Sequence, residues 1–175
     1  MEAPLLSQLH DPATKEKAFR DLMKAYQEKL YYHIRRFVYN HEDANDVLQN
    51  TFIKIWYGID NFRGESSLYT WVYRIATNES ITFLNKVKKM NLVNIEQTAV
   101  PNRGTSDSEN AEQLQQKLDK ALAQLPDRQR QVFIMRYYDE LSYDQMSEIL
   151  DTTAGALKAS YHHAVKKIEQ FILSH

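Results

Sequence analysis

The stretch from Leu141 to Lys167 constrains the fold more than any other part of the chain. It reads Leu-Ser-Tyr-Asp-Gln-Met-Ser-Glu-Ile-Leu, breaks at Asp151-Thr152, and resumes as Thr-Ala-Gly-Ala-Leu-Lys-Ala-Ser-Tyr-His-His-Ala-Val-Lys-Lys. Ser142 with Gln145 three residues on forms a capping box, and Thr153 can cap a second helix. Met146, Ile149 and Leu150 give the first helix its buried side. In the second, Leu157, Tyr161, Ala164, Val165 and Ile168 share one face, while Lys158, Ala159, His162, His163 and Lys166 occupy the other. Two capped helices across a short turn, the second with a polar outward face, read as a helix-turn-helix, and that motif points at DNA. Two ordinary amphipathic helices in an all-α core are the bland alternative.

The rest of the composition agrees with helices. Four glycines and four prolines in 175 residues leave few breakers for a turn-rich β fold. Such a length suits one or two small domains. The absence of cysteine excludes disulfides, thiolate metal sites and cysteine catalysis, and agrees with a reducing cytoplasm. The first residues lack the apolar stretch of a signal peptide. No window reaches the roughly 18 to 20 apolar residues of a membrane helix, so no membrane insertion is expected. Net charge is −1. A protein that holds DNA unaided usually displaces counterions with a strongly basic surface, so weak autonomous DNA binding is expected here.

Along the chain, Asp11-Pro12 reads as an N-cap followed by proline at the first helical position. Phe19, Leu22, Met23, Tyr26, Leu30, Ile34 and Phe37 then recur at helical spacing. A second helix begins near Glu42-Asp43. From Asn94 to Ser108 the apolar period lapses around Pro101-Asn102-Arg103-Gly104, which reads as a linker. Helical pattern resumes near Glu109, runs through Leu114, Leu118, Ala121, Leu122 and Leu125 to Pro126, and continues through Val132, Phe133, Met135 and Tyr137. The expected architecture is all-α: a helical domain over 1–93, a flexible linker over 94–110 and a helix-turn-helix domain over 111–175.

The second helix carries two stripes. Ala44, Leu48, Phe52, Ile55 and Ile59 make a core face, whereas Asp46, Gln49, Asn50, Ile53 and Trp56 mix hydrogen-bonding groups with a large aromatic on another side. That mixture is the composition of a protein-contact hot spot. After it, Phe62-Arg63-Gly64-Glu65-Ser66-Ser67 is a short polar loop set between aromatics, with Trp71, Arg74, Ile75 and Asn78 on the helix that follows. Aromatic stacking worth about 1 to 3 kcal/mol per base could hold an unpaired strand there, and Arg74, Lys86, Lys88 and Lys89 could follow the phosphates.

These motifs together resemble the extracytoplasmic-function (ECF) group of bacterial sigma-70-family factors. The likeness rests on Asp46-Val47-Leu48-Gln49 through Phe52-Ile53-Lys54 and Trp56, Phe62 to Ser66 with Tyr69-Thr70-Trp71 and Tyr73 to Asn78, then Leu125-Pro126 and the helix-turn-helix. It implies a transcription initiation factor, not an enzyme, with no cofactor or metal. A sigma2-like bundle would bind core RNA polymerase and open the −10 element, and a sigma4-like domain would read the −35 element. By the same resemblance Asp46, Gln49, Asn50, Ile53 and Trp56 meet the clamp coiled coil of the β′ subunit. Phe62, Arg63, Gly64, Glu65, Ser66, Ser67, Trp71, Arg74, Ile75 and Asn78 meet −10 DNA. Ser142, Thr153, Lys158, Ser160, His162, His163, Lys166 and Lys167 meet −35 DNA, and Leu125 to Tyr137 also meets the β flap. An anti-sigma factor, membrane-anchored or free, is a further implied partner. Asp151 stands where the family's turn often has glycine, and Ser160 and His163 where arginine is common, which implies fewer charged base contacts. A stand-alone helix-turn-helix regulator, the main alternative, leaves the Asp46 to Trp56 stripe and the Phe62 to Asn78 segment without a task. A metal-dependent hydrolase would need a His-Glu-x-x-His or paired Glu-x-x-His pattern that the chain lacks.

Overall fold

A computed structural model describes residues 2–38, 40–93 and 109–174, with side chains described over 4–38, 40–90 and 111–174. The expected linker, Asn94 to Ser108, lies outside the described residues. Among those described there are helices and turns and no strand. None of the helices is long and apolar enough to cross a membrane. The chain forms two compact units, residues 1–97 and 98–175.

In the first unit α1 (Glu2–His10) precedes α2 (Lys15–Phe37), α3 (His41–Gly58) and α4 (Leu68–Val93), with a 3-10 turn at Ile59–Asn61 closing α3. The three long helices pack against one another, and α1 lies on α2 and on the 3-10 turn. Leu9, Leu22, Leu30, Ile34, Phe37, Ala44, Val47, Ile55, Ile59, Leu68 and Val72 fill the interior. Within it His33 is fully buried, its Nε2 2.8 Å from Thr77 Oγ1. Thr77 spends its own hydrogen on the Tyr73 carbonyl, so His33 Nε2 is the donor of that pair.

Asp11-Pro12 does not open a helix. Asp11 Oδ1 accepts from Ala13 N at 3.0 Å and its carbonyl accepts from Thr14 N and Lys15 N, so the pair builds the reversal between α1 and α2, and α2 starts at Lys15. The proline that suits a first helical turn suits this turn equally. The second helix opens one residue ahead of Glu42, at His41. There Asn40 Oδ1 accepts from Asp43 N at 2.7 Å.

The second unit holds α5 (Glu109–Gln124), α6 (Asp127–Phe133), a π-helical turn (Ile134–Tyr138), α7 (Tyr143–Leu150) and α8 (Ala154–Ser174). Its core joins Ala121, Leu122 and Leu125 to Phe133, Ala164 and Ile168. The Phe133 ring stacks with those of Tyr137 and Tyr161, at 5.1 and 5.8 Å. The capping box forms in full: Ser142 Oγ accepts from Gln145 N at 3.1 Å and Gln145 Oε1 from Ser142 N at 2.9 Å. Asp151 ends α7 in the left-handed conformation (φ 50°, ψ 53°), and Thr153 Oγ1 accepts from Ala156 N at 3.3 Å. Arg128 fastens the start of α6 to this turn by donating to Thr152 Oγ1 and, at 3.4 Å, to the Leu150 carbonyl.

Candidate functional site

α3 turns a continuous arc to the interior because α2 flanks it on one side and α4 on the other. Ala44, Val47, Thr51, Phe52 and Ile55 are buried, while Leu48, expected in the core stripe, is half-buried. The arc is thus centred nearer Val47 and Thr51 than the sequence pattern placed it, and Thr51 is accommodated by donating to the Val47 carbonyl at 2.7 Å. Opposite the arc Asp46, Gln49, Asn50 and Ile53 are all exposed. Tyr57, four residues after Ile53 and so on the same face, is 74% exposed. Sequence reasoning passed over it, although the i, i+4 relation to Ile53 was there to be read. Trp56 stands apart from this group. It lies half-buried on the flank, edge-on to Phe19 at 5.0 Å, with Lys15 Nζ 4.6 Å from its ring centre.

The loop after α3 brings its residues to the head of α4. Phe62 is only 8% exposed and packs on Trp71, ring centres 4.9 Å apart. Trp71 in turn rests on Gly58, where a Cβ would come within 3.1 Å of the indole. This glycine was another residue the sequence reading missed, since nothing local marks a seat for a ring thirteen residues on. Arg63, Gly64, Glu65 and Ser67 are exposed and Ser66 half-buried, with Gly64 at φ 72°, a conformation that favours glycine. Ser67 Oγ accepts from Thr70 N at 3.1 Å and donates to Thr70 Oγ1, so its hydroxyl serves the start of α4. Along α4 Trp71, Arg74 and Ile75 are half-buried and Asn78 exposed, and their spacing sets all four on one helix face leading away from the loop. Next to Asn78, Glu79 is ion-paired with Lys54 of α3.

In the second unit the outward side of α8 carries Lys158, Ala159, His162, His163, Lys166 and Lys167, all exposed, with Ser160 half-buried. Leu157, Ala164 and Ile168 are buried beneath them. The hydroxyls of Ser142 and Thr153 are engaged as helix caps. Lys158 Nζ lies 5.6 Å from the centre of the Tyr143 ring and the Arg136 guanidinium 5.0 Å from it. Arg136 also donates to the Leu141 carbonyl at 2.9 Å. Arg136 and Tyr143 were not read from the sequence as partners of Lys158, because the contact joins three successive elements whose packing no local pattern marks. From Leu125 to Tyr137 most apolar side chains are interior, and Tyr137 is the large one left exposed. Burial raises the Tyr161 phenol above its ordinary pKa, with Tyr143 and Tyr137 adding to the shift and Arg136 opposing it. Among the described residues no three His, Asp or Glu side chains group as metal ligands.

Comparison with known proteins accounts for both units. Residues 22–90 match the family described as sigma-70 region 2, and residues 115–168 match sigma-70, region 4. The ECF RNA polymerase sigma factor SigW of Bacillus subtilis (strain 168) is 31% identical over 162 residues, which is 84% of each chain. The ECF RNA polymerase sigma-E factor of Escherichia coli (strain K12) is 32% identical over 166 residues, 88% of this chain and 86% of that one. The fold is also similar to that of CnrH, solved in complex with the cytosolic domain of CnrY, at TM-score 0.73 and 18% identity over 99% of this chain and 97% of that one. A second similar structure is the sigma factor RpoE of Bartonella quintana with the anti-sigma factor NepR, at TM-score 0.70 and 23% identity over 89% and 97%. The chain belongs to the ECF group of the sigma-70 family. It is an alternative sigma factor, which binds core RNA polymerase and directs transcription initiation at promoter DNA. The match over residues 22–90 is what separates it from a stand-alone helix-turn-helix regulator.

Proposed function

We propose that the two units divide the work of initiation. Residues 1–93 form the domain that docks on polymerase and opens the −10 element, residues 94–110 act as a tether, and residues 111–175 read the −35 element. Docking on the β′ clamp coiled coil falls to Asp46, Gln49, Asn50 and Ile53, with Trp56 at the margin. Their exposure on the α3 face opposite its buried arc is the observation that carries the reading. Strand capture falls to Arg63, Glu65 and Ser66, with Asn78, Arg74 and Ile75 along α4. Phe62 and Trp71, packed against each other, form the aromatic wall behind them. Gly64 lets the loop turn tightly beside the strand.

At −35, Lys158, Ser160, His162 and His163 lie nearest the bases, Lys166 and Lys167 nearer the phosphates, and Ser142 and Thr153 contribute from the two helix starts. Tyr137 and its neighbours meet the β flap. The protein works in the cytoplasm with polymerase, and an anti-sigma factor restrains it as NepR and RpoE are found together.

Transcription reconstituted with cognate core polymerase on a randomised −35 library tests this assignment. Ser160→Ala or His162→Ala should relax preference at one or two positions by about 1 to 3 kcal/mol each. Lys167→Ala should weaken all promoters alike and lower the salt dependence. If all three variants keep the parent's preference, α8 is not the reader.

A further inference from the structure

The corner where α1 meets α2 lies ahead of residue 22, where the match to sigma-70 region 2 begins, yet it is tied closely to the functional end of α3. Leu9 is fully buried and His10 Nε2 lies 3.0 Å from the Ile59 carbonyl. Lys15, the first residue of α2, does two things with one ammonium group. It donates to both carboxylate oxygens of Asp60, at 2.7 and 2.8 Å, and it stands 4.6 Å from the centre of the Trp56 ring. Its side chain is 17% exposed, against 59% for Asp60, so the lysine stem is packed and its charge is held over the indole rather than waving in water. Phe19, one turn further along α2, closes the edge of the same indole.

We infer that Lys15 is a positioning residue: it fixes the Trp56 indole at the margin of the α3 docking face and ties that ring, through Asp60, to the root of the strand-capturing loop. The inference deepens the proposed docking role of Trp56 and rests on it. A long side chain held by two directional contacts fixes the indole in one orientation before the partner arrives. The ordering cost is then met in the free protein and not at binding. Removing the ammonium frees Asp60 and loosens Trp56, which keeps its edge contact with Phe19, without changing any residue of the α3 face.

The experiment uses the full chain carrying Trp71→Phe, which leaves Trp56 as its only tryptophan. Lys15→Met keeps the stem and removes the charge, whereas Lys15→Arg keeps a cation over the ring and a partner for Asp60. Acrylamide quenching of Trp56 fluorescence in the free chain reads the ring's exposure, and titration with core polymerase reads docking. Quenching should rise in Lys15→Met, core affinity should fall about three- to tenfold, and Lys15→Arg should restore both. The affinity loss should vanish when Lys15→Met is placed on Trp56→Ala, because the ring it positions is gone. Unchanged quenching in Lys15→Met overturns the inference, and so does an affinity loss that persists undiminished in the Trp56→Ala background. Full core affinity in Trp56→Ala alone would instead remove the docking role of Trp56, whatever quenching shows.

Discussion

Asp151 holds a left-handed backbone with φ 50° at the turn of the helix-turn-helix, where a side chain that can bond locally is tolerated but glycine is unstrained. Asp151→Gly should therefore stabilise the second unit by about 0.5 to 1 kcal/mol, read as a higher urea midpoint with an unchanged slope. The sequence carried this position, since Asp151 occupies the site of a usual turn glycine. It carried no sign of Glu140, which also has positive φ, because nothing in Asp139-Glu140-Leu141 marks a turn. Tyr161 makes the stability of the second unit depend on pH. Its folded pKa is raised, chiefly by burial, so its contribution to stability is full below the ordinary value of about 10 and is lost as pH rises through the higher folded value. Urea midpoints taken between about pH 9 and 11 should fall in the parent and fall less in Tyr161→Phe; parallel curves would show that the phenol does not titrate with unfolding.

α3 shows at the scale of one element what periodicity reveals and what it leaves out. A 3.6-residue repeat located an apolar side and a mixed side, and the exposed group Asp46, Gln49, Asn50 and Ile53 follows directly from it. The same repeat misjudged Leu48 and left Val47 and Thr51 unassigned, because the width of a buried arc depends on how many neighbours flank a helix, and two do here. Trp56 was legible as an aromatic at the mixed side's border but not as a ring already engaged by Phe19 and Lys15, which come from another helix. The two sides should separate cleanly by measurement. Val47→Ala, at 2% exposure, should cost about 1.5 to 3 kcal/mol of stability, while Ile53→Ala with Tyr57→Ala should leave the melting temperature within a degree or two and lower core-polymerase affinity at least tenfold. A double variant that binds core as tightly as the parent would remove this face from the interface.

The whole chain has a net charge of −1, with 22 Lys and Arg against 23 Asp and Glu, although one unit exposes Lys158, Lys166 and Lys167 on α8, the helix proposed to read −35 DNA. Such a surface releases few counterions, so the free protein should hold duplex promoter only in the range of non-specific binding, about 10⁻⁴ to 10⁻⁶ M at physiological salt. Preference for promoter over scrambled duplex should be small in the free chain and emerge with polymerase, because a tether converts two weak contacts into one strong one through effective concentration. Anisotropy titrations of promoter and scrambled duplexes, with and without core polymerase, read this directly. Nanomolar, sequence-selective binding by the free chain would mean that the second unit reads DNA on its own, and that docking through α3 adds placement rather than affinity.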